Sequence, residues 1–294
     1  MKLALRWPAA LPGRARFLLL VLAYALLVGA CLATLAREGE LSMGRKPWEN
    51  IAKTAVEFSH PSFIDLWFGE TRLEYRSDDG TLLRLENRRE KEGAFLRALA
   101  GATWDTVRIG TLGSLLGALL ALPLGLLAAR NLAAPRALAA AAKTLLDVTR
   151  AIHTLVFGLV LVGIVGLGPT AGILAIALHS MGTYGKLYAE AVETLDMSAV
   201  EAVRAVGAGP VQVFFNAVWP SVLPQFVSSH LYIWEYNIRD STILGLIGAG
   251  GLGLLISEAT ALFQWGRLAT ILLVVIALVF VFDAASRRIR AALL

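Results

Sequence analysis

Apolar residues in this chain come in long runs, and polar residues fall in short clusters between them. Phe17 to Ala36 is unbroken by charge. Further apolar runs cover about 104–128, 144–165, 172–187, 218–237 and 268–284. Roughly 20 apolar residues suffice for a helix to cross a bilayer. The pattern predicts six transmembrane helices and an all-α polytopic membrane protein.

One stretch departs from this pattern. Residues 37–103 carry many charges of both signs. Within them PWENIAKTAVEFS places Trp48, Ile51, Ala52 and Ala55 at helical spacing, as in a helix lying in the membrane interface. Leu73 to Arg88 alternates apolar and polar residues around Asp79-Gly80, a β-hairpin pattern with a turn signal. The chain thus divides into 1–36 (a cytoplasmic N-terminus and first span), 37–103 (an extracytoplasmic segment) and 104–294 (five spans). A polar segment at 188–217 interrupts the last part.

Composition agrees. The chain is 57% hydrophobic and only 17% charged, where soluble domains carry about a quarter charged residues. Mean hydropathy is +0.66 and the isoelectric point is near 9.6. The basic residues gather at the ends of apolar runs, so they report topology and not nucleic-acid binding. Lys2, Arg6, Arg14 and Arg16 precede the first span. Arg130, Arg136 and Lys143 follow the second, and Arg287, Arg288 and Arg290 follow the last. Both termini are therefore expected in the cytoplasm. The single cysteine, Cys31, excludes an intramolecular disulfide. Its context, VGAC, matches a lipoprotein cleavage site weakly, and a small residue packed in a span is the simpler reading.

Residues 201–220, EAVRAVGAGPVQVFFNAVWP, form a charged, glycine-punctuated insert between two spans. Glu201, Arg204 and Ala208 are expected along one side of a short helix, with Ala202, Ala205 and Val206 on the other. Gly207, Gly209 and Pro210 end it. Composition alone allows a loop that caps a bundle or a lever that another protein grips. The spacing of Glu201, Ala202, Gly207 and Pro220 resembles the cytoplasmic coupling motif of ABC importer permeases. Val203, Ala217 and Trp219 depart from that pattern.

DVTRAIHTLVFGLVLVGIVGLGPTAG (147–172), KLYAEAVETLD (186–196) and NIRDSTILGLIGAGGLG (237–253) narrow the resemblance to permeases of phosphonate importers, over about residues 104–290. The resemblance implies a type I ABC importer permease core and a homodimer of permeases. It also implies an ABC ATPase dimer at the cytoplasmic face, which uses ATP and Mg, and an extracytoplasmic substrate-binding protein. It assigns ATPase coupling to Glu201, Ala202, Arg204, Gly207 and Pro220. The expected cargo is phosphonate, phosphite or phosphate. The 73–88 hairpin has no counterpart in the resemblance.

The chain itself carries no phosphate-binding loop: in GTYGKLY, Ser180 and Leu187 stand where that motif needs Gly and Ser or Thr. Gly248, Gly250 and Gly253 satisfy the dinucleotide fingerprint, but the strand–turn–helix context is missing. With Gly251 they are better explained as tightly bending backbone near the outer mouth of a pore. Ionisable residues within spans are costly and mark candidate pathways. Arg150 and His153 lie in the third span, where Arg150 can also pair with Asp147. Glu235, Arg239, Ser241 and Thr242 cluster near the outer end of the fifth, where Glu235 and Arg239 can neutralise each other. His179 and His230 suit packing better than metal ligation, and no metal site is expected. The other readings are a permease for methionine or another small solute, and a carrier or channel working without an ATPase. A membrane enzyme would need a nucleophile–base pair that the sequence does not offer.

Overall fold

A computed structural model describes residues 13–39, 46–68, 72–76, 82–132 and 135–293. The chain divides into two compact units at Val56/Glu57. In the first, α1 (Gly13–Arg37) is a single apolar helix whose large side chains, from Phe17 to Leu35, are exposed. Cys31 is exposed on it. In α2 (Pro47–Phe58), Trp48 and Ile51 are exposed, and no residue of the helix is buried.

The second unit is helical apart from one strand pair. After α3 (Ser62–Phe68), β1 (Arg72–Arg76) pairs antiparallel with β2 (Leu82–Asn87). Leu73 opposes Glu86 and Tyr75 opposes Arg84, and the register shifts after Tyr75. The expected Asp79-Gly80 turn lies outside the described residues.

Asn87 caps α4 (Arg88–Ala128) by accepting from the Glu90 amide. This helix has 41 residues, about 60 Å at 1.5 Å each. It runs past the expected start at 104, past residue 103 and through Pro123 without a break. Near its first turns Glu92 pairs with Arg267 of α12 (Trp265–Leu293) at 2.9 Å, and the guanidinium lies 4.9 Å from the Phe95 ring centroid. Lower down, small residues let α7 (Pro169–Glu193) approach closely. A Cβ on Gly113 would meet Ile176 at 2.7 Å, and one on Gly125 would meet the Gly185 carbonyl at 2.8 Å. Gly113, Gly117, Ala121 and Gly125 recur every four residues, a stripe readable from the sequence, and it is the seat of α7, the most buried helix of the unit.

The expected third span, 144–165, is not one helix. α5 (Arg136–Ala151) and α6 (Thr154–Val165) meet at 91°. Ile152 and His153 are extended, and their freed backbone groups find side-chain partners. His153 Nδ1 accepts from the Leu155 amide at 3.2 Å, and His179 Nδ1 donates to the Ile152 carbonyl at 2.8 Å. No Gly or Pro marks the bend, so the apolar run concealed it. The fifth span also differs from 218–237. A helical stretch runs from Pro210 through α9 (Pro210–Val213), a π-turn and α10 (Trp219–Leu244) into a second π-turn that is broken at Gly248, φ +94°. It then bends by 57° into α11 (Leu252–Ala261).

Among the described residues, three helices are long and apolar enough to cross a membrane alone, or up to five spans if each bent pair counts as one.

Candidate functional site

The polar insert forms α8 (Met197–Ala205). Asp196 caps it: its carboxylate accepts from the Ser198 amide at 3.0 Å and from the Ser198 hydroxyl at 2.8 Å. The bond from the Ser198 amide, reinforced by the hydroxyl, holds the Asp196 carboxyl below its ordinary pKa. Gly207 ends the element at φ +87°, a conformation that glycine adopts without steric cost.

One face of α8 is anchored. Val200 is 1% exposed and packs in a cluster with Val213, Ala217 and Val218, joined by Met197 and Val203. Across a cavity of about 200 Å³ beneath the helix, Asn131 donates to the Val192 carbonyl at 2.6 Å. Glu201, Ala202, Arg204 and Gly207 are exposed, and Pro220 is exposed in the first turn of α10. Ala202, Ala205 and Val206 are also exposed, Val206 to 84%, so neither of the two expected sides is the packed one. The inward positions are Met197, Val200 and Val203. At 100° per residue these lie together, and β-branched bulk fits the cluster where alanine would leave space.

The intramembrane candidates separate into two environments. Arg150 bonds Asp147 at 3.1 Å through Nε, and both line a cavity of about 240 Å³ with Lys143, Lys186, Glu190 and Glu193. His153 is exposed at the bend. Arg239 lies 3.8 Å from Glu235 and is half exposed, while Glu235 is mostly covered. Ser241 and Thr242, in contrast, face into the protein. Ser241 donates to the Ile238 carbonyl at 2.7 Å and is 3.0 Å from the Thr106 carbonyl. Thr242 is 7% exposed, and its hydroxyl has no hydrogen-bond partner among the described residues.

Buried polar groups on α4, α6, α7 and α10 supply contacts that the sequence pattern did not single out. Asn237 donates to Ser114 at 2.7 Å and to Ser180 at 2.8 Å, tying α10 to α4 and α7. Thr154 donates to Asp240 at 2.8 Å, tying α6 to α10. Spacing on one helix could not reveal them, because each pair is separated by dozens of residues.

The Gly-rich segment is a compact fold-back. Gly248, Gly250 and Gly251 have positive φ, and Gly253 sits against the Thr242 carbonyl with no room for a Cβ. The Gly168 amide donates to the Gly248 carbonyl at 3.0 Å, and the Leu252 amide donates to Thr106 Oγ1 at 2.8 Å. Ala249, Gly251 and Gly253 are buried in this fold-back, and Gly248 and Gly250 are half-buried. The segment is held between the start of α7 and the upper part of α4.

Comparison with known proteins places this architecture. The chain is 41% identical over 186 residues to the phosphite transport system permease protein PtxC of Stutzerimonas stutzeri, covering 63% of this chain and 68% of that one. It is 40% identical over 192 residues to the phosphate-import permease protein PhnE of Mycolicibacterium smegmatis, covering 65% of this chain but 36% of the relative. Its fold is similar to a subunit of the MetNI methionine ABC transporter solved in inward-facing conformations. The TM-score there is 0.62 at 23% identity, over 68% of this chain and 98% of that one. The model of the binding-protein-dependent transport system inner membrane component matches residues 121–293, which include α8, both bent pairs and the Gly-rich segment, and the chain belongs to that family.

Proposed function

We propose that this chain is a membrane-spanning permease subunit of an ATP-driven importer that takes up phosphonate or a related phosphorus oxyanion, phosphite or phosphate. The carrying observation is α8, anchored on one face through Val200 and presenting Glu201, Ala202, Arg204 and Gly207 on the other. A helix held this way transmits force from outside the bundle into α10. The names of the relatives from Stutzerimonas and Mycolicibacterium support the choice of cargo.

In this reading α8 lies on the cytoplasmic side with both termini, and the bundle crosses the inner membrane six times with α7 as its enclosed span. An ABC ATPase dimer with ATP and Mg grips the exposed face of α8. A binding protein delivers cargo from the other side, and a second copy of this chain completes the pore. Alternating access follows if nucleotide and loaded binding protein favour different pore states, since a ligand shifts an equilibrium only by its differential affinity.

The test is uptake by the reconstituted assembly with Glu201→Lys or Gly207→Trp. Glu201 is exposed, so Glu201→Lys is expected to insert normally but lose ATPase association and oxyanion uptake; Gly207→Trp adds bulk and strains the turn at φ +87° that ends α8, and is expected to lose both as well. Wild-type association and uptake would overturn the assignment. Oxyanion transport by the purified chain without ATPase would favour a self-sufficient carrier.

A further inference from the structure

The exposed side of α10 carries a polar stripe. On α6 and α12 the exposed large side chains include Leu159, Val160, Ile164, Leu273, Ile276 and Phe280, with exposed charges on α12 only near its end, at Arg287 and Arg288. On α10, Tyr232, Tyr236 and Arg239 follow one another at spacings of four and three, so they form one stripe. Tyr232 is 61% exposed, Tyr236 42%, and the Arg239 side chain 50%. The stripe spans about 10 Å in the middle and outer half of the helix.

This stripe does not suit lipid. Phenol hydroxyls and a guanidinium in hydrocarbon lose their hydrogen bonds with water and gain none in return. Neither tyrosine hydroxyl is hydrogen-bonded to a described residue. Arg239 has a single acidic neighbour, Glu235 at 3.8 Å, beyond hydrogen-bond reach. The opposite side of the same turns is fully engaged, with Asn237, Ile238, Asp240 and Ser241 buried. Asp240 is buried and accepts from Thr154, and its charge is close enough to act on Tyr236.

We propose that Tyr232, Tyr236 and Arg239 line the translocation pathway and bind the phosphorus oxyanion in transit. The stripe carries hydroxyl and guanidinium donors that match the acceptor-only oxygens of a tetrahedral anion, and arginine takes two such oxygens at once. Glu235 balances the Arg239 charge while the path is empty and gives way when the anion arrives. Glu235 also keeps the site weak, as a transit site must be if cargo is to leave. The proposal rests on the importer reading for the cargo class, but the exposure of the stripe on the surface of this chain does not depend on it.

The experiment uses the complete assembly of permease, ATPase and binding protein in vesicles, with Cys31→Ser as background. Tyr232→Cys and Tyr236→Cys are expected to react with a charged, water-soluble methanethiosulfonate, and phosphite or phosphate should slow the reaction. Arg239→Gln should cut phosphite uptake about tenfold, the worth of one charge-assisted hydrogen bond, with Arg239→Lys in between and Tyr236→Phe reduced. No labelling in any nucleotide state would overturn the pathway. Labelling unaffected by either oxyanion, or wild-type uptake by Arg239→Gln, would overturn the oxyanion contact. A wild-type assembly that moves no phosphorus oxyanion, with both cysteines still labelled, would instead fault the importer's cargo.

Discussion

Thr154 and Asp240 lie 86 positions apart in sequence, yet the threonine hydroxyl donates to the buried carboxylate at 2.8 Å. The bond joins α6, just above the 91° bend, to α10, one turn before the Gly-rich fold-back. Removing the hydroxyl leaves a carboxylate oxygen without this partner in a buried site. Thr154→Val is expected to destabilise the assembly by about 2 kcal/mol. Asp240→Asn, which keeps an acceptor, should cost less. Thermal unfolding in detergent checks both.

Asn237 is the hub of the bond network between α4, α7 and α10. Asn237→Leu would leave the Ser114 and Ser180 hydroxyls without their partner at 2.7 and 2.8 Å. The expected loss is about 1–3 kcal/mol, again read as thermal stability. The triple variant with Ser114→Ala and Ser180→Ala should recover part of it, because an apolar contact replaces orphaned hydroxyls.

Gly182 is the contact point of α5 and α7. A Cβ there would lie 2.6 Å from the Arg150 amide, the Leu146 carbonyl and Thr149 Oγ1. Two of these are backbone atoms and cannot swing aside. Gly182→Ala should destabilise by about 1–3 kcal/mol, whereas Gly163→Ala in α6, with nothing within 4 Å of its Cβ, should not. Parallel melting curves of the two variants decide.

Val206 is 84% exposed at the end of α8. If the exposed face of α8 is gripped, Val206→Ser should weaken ATPase association while leaving the melting temperature unchanged. Val200→Asp, by contrast, places a charge in the cluster that holds α8 and should lower both. Co-purification and melting, measured together, separate surface contact from anchoring.

The Asp196 cap has a defined pH range. Its carboxyl is held below its ordinary pKa by the Ser198 amide and hydroxyl. The contribution is therefore complete above the unfolded value and is lost as pH falls through the lower folded value. Hydrogen exchange over α8 should show no change in capping between pH 8 and pH 5. Asp196→Ala should fray the first turn throughout that range.

Sequence periodicity made the helical class, the spans at 17–36 and 268–284 and the packing stripe at Gly113, Gly117, Ala121 and Gly125 legible. These features are local, carried by run length or by one helix face. The bend at Ile152–His153 was not legible, because its backbone partners are His153 itself and His179, a turn and a helix away. Which side of α8 packs inward was not legible, because several of its residues are small and apolar on both sides. Only the valines at 200 and 203, with their bulk, decide which side packs. Arg239 stood out as a charge in a span, but Tyr232 and Tyr236 did not, since tyrosine is ordinary in membrane helices until its exposure is known.

The 41-residue helix α4 is clasped at its head by the Glu92–Arg267 pair and seated near its foot on Gly185. The helix continues between these points, through Pro123. A displacement of the Glu92–Arg267 clasp would therefore be carried along one continuous element to the contact with Gly185, about nine turns away in a single span of backbone.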